Sequence, residues 1–442
     1  MDILLSPGQL LPRLIVEKPA AGGRMIARAD GQIVLVAGAI PGEQVTARVE
    51  RIGKGVVFAS VVDVDHASPD RREFGADPAC GGCLYGHIRH ARQIDLKAQV
   101  IADAFARVGR IGLPAPVRII ASPEEGYRMR ARFHVRGGRL GFFREGTHEI
   151  CDARATRQLL PASCAAVERL HAGLRSLGID AITEIELSEN VEASQRVLHL
   201  EASAALRPDL LTPLVQMDVT GITISAPTAV APPELAAVVV GGSPFVSDTV
   251  SIGHDALQFR RHVLSFFQSN RYLLGRLLSC VLDQIDEGAD VVDLYAGVGL
   301  FSVSAASVRR ASVRAVEGNW ASSVDLEANA ASAGAPVTVL PQAVEAFVAG
   351  HPVAPDIVIV DPPRTGLSRR SLDGVVAMGA SRLVYVSCDV ATLARDARAL
   401  IDGGYALRLV EGFDLFPNTP HVETVVVFDR ATTTPASTRR RR

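Results

Sequence analysis

The sequence predicts an α/β protein in three parts: a small all-β barrel, a central α+β segment, and a C-terminal doubly wound parallel sheet. Three observations lead there. Residues 8–64 alternate short β-branched runs with glycine-containing turns and show no helical periodicity. From residue 236 onward, apolar strands such as "ADVVDLYA", "SVRAVEG", "PVTVL", "DIVIVDPP" and "RLVYVSC" alternate with helical stretches, the pattern of a sheet covered on both faces. A chain of 442 residues also exceeds one ordinary hydrophobic core.

In chain order, Asp30-Gly31 and Pro41-Gly42 supply the turns of the barrel, assigned to residues 1–65. A central segment, 66–235, opens with a turn-rich connection carrying Cys80 and Cys83 as a CxxC element. Ile94, Val100, Ile101, Phe105 and Val108 then have helical spacing. "YRMRARFHVRGGRLGFFREGTHEI" returns to strand character, with a turn at Gly137-Gly138. A stretch rich in proline, alanine and glycine, "ISAPTAVAPPELAAVVVGGSP", marks the boundary to the third part, 236–430. Residues 431–442 read as a disordered basic tail.

Composition narrows the class. A hydrophobic fraction of 48% and a charged fraction of 21% are those of a soluble globular protein. No apolar run is long enough to span a bilayer and the first residues lack the pattern of a secretory signal, so a cytoplasmic protein without membrane partners is expected. The six cysteines are thinly spread, which predicts reduced thiols. A net charge of -2 does not advertise a polyanion partner, although a local basic face is enough for one.

The residues that carry chemistry sit at strand ends. Gly297 and Gly299 form a turn after the strand ending in Asp293, at the carboxyl edge where open α/β sheets bind ligands. Glu317 ends the next strand about 20 residues on, where an acid can hold two ribose hydroxyls. Together they predict an adenosine-type cofactor, either a nicotinamide dinucleotide or adenosylmethionine. In "DPPR" two prolines stiffen a loop that presents Asp361 as a fixed acceptor. Cys388 lies at a strand terminus before a helix, where a thiol pKa can fall and the group react as a nucleophile. His421 and Glu423 precede a final strand, and Glu423 completes a nucleophile and base pair with Cys388.

"FFQSN", "DLYAGVGLFSV", "DPPRTGL", "VYVSCD" and "FPNTPHVET", in that order, resemble the RNA 5-methyluridine methyltransferase family. The barrel, with "GAIPGE", is similar to the RNA-binding TRAM domain of that family's ribosomal RNA branch, an OB-like barrel. The resemblance implies a Rossmann-like methyltransferase domain that uses S-adenosyl-L-methionine to methylate carbon 5 of a uridine in RNA, more in keeping with ribosomal than with transfer RNA. It implies Cys388 as nucleophile on carbon 6 and Glu423 as proton acceptor. Cofactor contacts fall on Gln268, Tyr295, Gly297, Gly299, Leu300, Glu317 and Asp361. A transfer RNA substrate, or a non-catalytic RNA-binding protein on the same scaffold, remains the alternative, and a monomer is expected.

Two departures from the family pattern stand out. Asp389 occupies a position where the family commonly has asparagine, and a carboxylate there would raise the Cys388 pKa unless paired or turned away. Many ribosomal RNA members hold a four-iron cluster on four cysteines. Here the positions of the first and last ligand are Phe74 and Thr156, so no iron–sulfur cluster is expected; Cys80 and Cys83 are left as a degenerate element, with Cys151 and Cys164 nearby. Lastly, Arg128, Arg130, Arg132, Arg136 and Arg144, interleaved with Phe133, Phe142 and Phe143, fit either an RNA-binding face or a half-buried strand.

Overall fold

The computed structural model describes residues 5–216, 218–225, 237–350 and 354–431. The basic tail and most of the proline- and alanine-rich boundary lie outside the described residues. Among the described residues no helix is long and apolar enough to cross a membrane.

Strands β1 (Leu10–Pro19), β2 (Met25–Ala29), β3 (Gln32–Ala37), β4 (Gln44–Gly53) and β5 (Val56–His66) form a closed barrel, as predicted, in the order β1-β2-β3-β5-β4. Alternate side chains, among them Val16, Ala27, Val34, Val36, Val45 and Val57, fill its interior. Tyr85, Ile88 and Leu96 complete that core. The barrel is therefore plugged by the following segment rather than by its own strands alone.

Helix α1 (His90–Ala104) continues as a π-turn over Phe105–Gly109. Its buried face is Gln93, Leu96, Lys97, Val100, Ile101 and Ala104, whereas Val108, expected on that face, is 50% exposed because the wider π-turn rotates it outward. The short strand β6 (Arg118–Ile120) follows. A seven-stranded sheet comes next, built from β7 (Arg130–Arg136), β8 (Arg139–Phe143), β9 (Ile150–Cys151), β10 (Ile182–Glu189), β11 (Arg196–Ala202), β12 (Gly221–Ser225) and β13 (Val238–Gly242), with α2 (Pro161–Ser176) on it. β7 and β8 meet at Gly137 and Gly138, whose φ of 54° and 71° a two-residue hairpin turn requires.

A hairpin of β14 (Phe245–Ile252) and β15 (Asp255–His262) and helix α3 (Leu274–Leu282) lead into the last sheet. That sheet contains β16 (Asp290–Leu294), β17 (Ser312–Val316), β18 (Val337–Leu340), β19 (Ile357–Val360), β20 (Arg382–Ser387), β21 (Tyr405–Phe413) and β22 (Glu423–Arg430). Helices α4 (Leu300–Val308), α5 (Trp320–Ala333), α6 (Val344–Gly350), α7 (Arg369–Met378) and α8 (Val390–Asp402) connect them. The order is β18-β17-β16-β19-β20-β22-β21-β6, parallel from β18 to β20. β22 runs antiparallel to β20 and to β21. Two sheets cross the divisions expected from sequence: β6 joins the last sheet and β13 the central one.

The cysteines depart from expectation. Cys80 and Cys151 are joined as a disulfide, although thinly spread cysteines predicted reduced thiols; the β8–β9 strand pair brings Cys151 to the CxxC turn. Cys83 and Cys164 are buried in the same apolar core as that pair. Phe74 lies against Gly86 and between Arg72 and Arg157, whose guanidinium carbons are 5.5 and 5.2 Å from its ring centre. Thr156 is buried, donating its hydroxyl to Ala153 O at 2.6 Å. Among the described residues no group of three or more histidines, cysteines or acids is arranged to hold a metal.

Helix α1 also braces residues 414–418, which precede β22. Lys97, 1% exposed, donates to the fully buried Asp414 and to Phe416 O at 3.1 Å. His90 Nε2 lies 2.7 Å from the same carboxylate. Gln93 accepts from Asn418 N at 2.9 Å and donates to Asn418 Oδ1 at 2.9 Å, which holds Asn418 at a φ of 63°. Breaking a buried ion pair strands its remaining charge, so Lys97→Met should lower unfolding stability in urea by about 3 kcal/mol. Adding Asp414→Asn should recover part of that loss.

Candidate active site

Sheet topology fixes the site before any side chain is considered. Strand order reverses at β16, which pairs β17 on one side and β19 on the other, and open α/β sheets bind ligands at that switch point. The carboxyl ends of β16, β17, β19 and β20 carry Tyr295, Glu317, Asp361 and Cys388. Only β22 enters from this edge. Ser387 pairs with Thr424, so the next step of the same register sets Cys388 opposite Glu423.

Around this edge lies a cavity of about 570 Å³ lined by Gln268, Tyr295, Gly297, Glu317, Asp361, Cys388 and Glu423, among others. Leu300 lines a small recess that opens beside Gln268, Tyr295 and Asp361. Gly299 does not line either. Its φ is 91° and a Cβ there would meet Leu326 Cδ1 at 2.4 Å, so it permits the turn into α4 and the close packing of α5. That is a packing role where a cofactor contact was expected. Phe266, Arg364 and Phe416 also line the cavity; they sit inside the FFQSN, DPPRTGL and FPNTPHVET motifs, where sequence reasoning assigns them no role. Arg130, read from sequence as part of an RNA-binding face or a half-buried strand, reaches the same cavity from β7.

Acids dominate the electrostatics. Glu317 accepts from Gly297 N at 2.7 Å and Asn319 N at 2.6 Å, leaving its other lone pairs free for a ligand. Asp361 accepts from Gln268 Nε2 at 3.2 Å. Asp293 is fully buried; Ser302 donates to its Oδ2, and its Oδ1 has no partner. Burial, with Glu317 adding to it, pushes Asp293 up to about 7. Burial and the neighbouring Asp293 push Asp361 up to about 7 as well. Burial, then Asp361, holds Glu423 well above the usual carboxylate range, with Arg364 opposing. A cavity lined by carboxylates of raised pKa, with the unpartnered Oδ1 of buried Asp293 behind it, fits a ligand that brings positive charge, hydroxyls and N–H donors. S-adenosyl-L-methionine, with a sulfonium, an ammonium and a ribose, has that donor set.

Cys388 is half-buried, and its thiol does not have the lowered pKa expected of a helix-start cysteine. Burial pushes it up to about 11, with Glu423 and Asp361 adding to the rise and Arg364 opposing. Asp389 takes no part. Its Oδ1 accepts from Ala391 N at 3.0 Å and Thr392 N at 2.9 Å, so the carboxylate is the N-cap of α8, turned into the helix. This resolves the departure from asparagine, because both residues cap a helix equally well.

The arginine-rich strand divides. Arg128 bonds Gln158 Oε1 at 2.6 Å, Arg130 pairs with Glu186, and Phe133 and Phe142 pack 5.2 Å apart in the central core. Arg128, Phe133 and Phe142 belong to structure, whereas Arg130 also lines the cavity. Arg136 and Arg139 at the hairpin tip are exposed, and Phe143 stacks on His134 with ring centres 3.6 Å apart.

The surroundings of Cys388 and Asp389 set the expected outcomes. Alkylation of Cys388 by iodoacetamide, read by mass spectrometry of its peptide, should be slow at pH 8 and rise toward about 11. Glu423→Gln should shift that profile to lower pH. Asp389→Asn should leave the alkylation profile unchanged, whereas Asp389→Ala should cost about 1 kcal/mol of stability through loss of the cap.

Residues 352–431 match the family model described as tRNA (Uracil-5-)-methyltransferase, and residues 12–62 match the TRAM domain. An uncharacterized RNA methyltransferase of Gloeobacter violaceus is 32% identical over 97% of this chain and 99% of its own. The 23S rRNA (uracil(1939)-C(5))-methyltransferase RlmD of Pseudomonas putida is 31% identical over 94% of this chain and 93% of its own. In fold, the chain is similar to Pyrococcus abyssi tRNA (uracil-54, C5)-methyltransferase, solved with S-adenosyl-L-homocysteine. The TM-score is 0.75 and the identity 23%, over 94% of this chain and 99% of that one. With its strand order, its TRAM barrel and relatives matched end to end, the chain belongs to the RNA uracil-5-methyltransferase family.

Proposed function

We propose that the protein methylates carbon 5 of a uridine in ribosomal RNA, with S-adenosyl-L-methionine as donor. One observation carries the chemistry: Cys388 and Glu423 face each other across adjacent strands on the wall of a cavity whose other wall is carboxylates. The relatives named as 23S rRNA methyltransferases support ribosomal over transfer RNA, whereas the barrel does not discriminate, since the similar transfer RNA enzyme matches 94% of this chain.

When bound, the cofactor supplies an electrophilic methyl group on a sulfonium. Its holding falls to Glu317 for the ribose hydroxyls, to Asp361, oriented by Gln268, and to the backbone of the Tyr295–Leu300 turn. Carbon 5 of uracil is too weak a nucleophile to take that methyl unaided. The Cys388 thiolate adds to carbon 6, and the electron pair of the carbon 5–carbon 6 bond moves onto the carbonyl at carbon 4. The resulting enolate makes carbon 5 nucleophilic. After methylation Glu423 accepts the proton from carbon 5, the double bond reforms, and Cys388 leaves with its electron pair. Burial that raises the basicity of Glu423 suits this last step. Arg364, the cation that opposes the rise in the Cys388 pKa, lowers the cost of forming the thiolate from the protonated resting thiol as its proton leaves to solvent.

The target uridine has to leave its stack to reach Cys388 in the cavity. Phe266 and Phe416 line that cavity and offer aromatic faces to an extruded base. Cys388→Ala should abolish both methyl transfer and the denaturation-resistant adduct formed with RNA carrying 5-fluorouridine. Glu423→Gln should retain adduct formation, accumulate a methylated covalent complex on ordinary uridine, and slow turnover about 100-fold or more. RNA binding without adduct or methyl transfer in the unaltered protein overturns the reading.

A further inference from the structure

A second cavity, of about 630 Å³, lies beside the first, lined by Pro363, Thr365–Arg369, Glu345, Arg395 and Ala399, among others, and without Cys388. Tyr295 and Pro363 line both cavities, so one loop and one ring separate them. No step of the methylation uses this space. Its lining combines features that seldom meet by chance.

Pro363, Leu367 and Ala399 give it an aliphatic surface. Arg395 contributes a guanidinium that cannot swing away, because it donates to Asp396 Oδ1 at 2.8 Å, to Thr365 O at 3.1 Å and to Leu367 O at 3.3 Å. Its side chain nevertheless keeps 52% exposure. A guanidinium plane fixed by three bonds and still open to solvent is a stacking platform for a nucleobase. At the same rim, Glu345 accepts from Ser368 Oγ and Ser371 Oγ, both at 2.9 Å. Its own backbone N–H and those hydroxyls hold the carboxyl below its usual range, so it presents an ionised acceptor. Arg369, 88% exposed beside the opening, pairs with Asp373 through Nε at 3.0 Å, and its remaining guanidinium N–H groups can meet a phosphate.

We propose that this cavity binds the base of a nucleotide adjoining the target uridine, and that the base it selects is guanine. The inference rests on the RNA-substrate reading above. A flipped uridine at Cys388 leaves its neighbours unstacked, and the two cavities share Tyr295 and Pro363 as walls, so a neighbouring base has a place to stack within reach. Guanine is selected because its N1–H and N2–H₂ edge offers two donors to one carboxylate, whereas uracil and cytosine do not combine that edge with a purine face. Tyr295, whose hydroxyl donates to Ser371 Oγ at 3.4 Å, ties the occupant of this cavity to the cofactor turn.

The test uses the full chain, S-adenosylmethionine, and a pool of single-stranded RNAs of about 15 nucleotides with a central 5-fluorouridine and random flanks. RNA captured covalently is sequenced. Since stacking is worth ~1–3 kcal/mol per base, guanine should be enriched on the order of tenfold at one position next to the target. Ala399→Trp, which fills the cavity from α8, should abolish the enrichment, and Glu345→Gln should abolish the preference for guanine over adenine. Both variants should keep the unaltered melting temperature and cofactor affinity. No preference at either adjoining position, or a preference that survives Ala399→Trp, overturns the proposal. Absence of any covalent capture counts against the methylation reading instead; RNA retained without a covalent bond is then sequenced for the same guanine signature, whose absence overturns this site separately.

Discussion

The antiparallel pairing of β20 with β22 is the constraint on which the rest of the site depends. Every parallel strand of the sheet leaves the core at the ligand edge, so a chain can begin a strand there only by running the other way. That reversal brings Glu423 to the same edge as Cys388, although 35 residues separate them in sequence. The pleat does the remainder. Val384 and Val386 of β20 and Val425 of β22 face one apolar core, while Tyr385, Val426 and Phe428 face the other. Cys388 and Glu423 continue the first series, so both fall on one face. A slip of one residue would turn Glu423 to the far side, and burial on both faces prevents it.

The same edge concentrates negative charge that the fold does not neutralise. Asp293, Glu317, Asp361 and Glu423 all have raised pKa values, with burial as the first cause in each case. Groups of this kind destabilise a folded chain as pH rises above their unfolded values, because the native state binds more protons than the unfolded one until its own pKa is passed. The backbone amides of Gly297 and Asn319, the Ser302 hydroxyl and the Gln268 amide offset only part of that cost. A cationic ligand offsets more, which makes binding and stability two sides of one linkage. The site is strained toward its cofactor rather than complete without it.

Much of this was legible in the sequence, for physical reasons that differ by region. The barrel could be read because turn residues punctuate alternating strands, and the C-terminal sheet because buried parallel strands are apolar along their length. Strand-end residues such as Tyr295, Glu317, Asp361 and Cys388 inherit their place from topology, so locating the strand locates the residue. What failed was tertiary. Gly299 belongs to a motif, yet the approach of Leu326, which a Cβ there would meet, is revealed by no local pattern. The Cys388 thiol followed burial first, and then the field of Glu423, Asp361 and Arg364, rather than the nearby helix start. Asp389, which looked threatening in one dimension, is spent on two backbone amides. The Cys80–Cys151 link required knowing that β8 and β9 pair.

The barrel is not an appendage to this chemistry. Gly23, in the turn between β1 and β2, approaches Pro420 so closely that a Cβ would lie 2.9 Å from Pro420 Cγ, and its φ of 95° suits glycine alone. Pro420 stands three residues before Glu423. Arg72, in the connection after the barrel, donates to Asn418 Oδ1 at 2.7 Å, and Tyr85, which fills the barrel core, donates its backbone N–H to Asn418 O at 2.8 Å. The segment that delivers Glu423 is thus clamped by the barrel turn, by the barrel's plug and by α1. These contacts tie the barrel to the segment that leads into β22, so the N-terminal barrel contributes to the placement of Glu423.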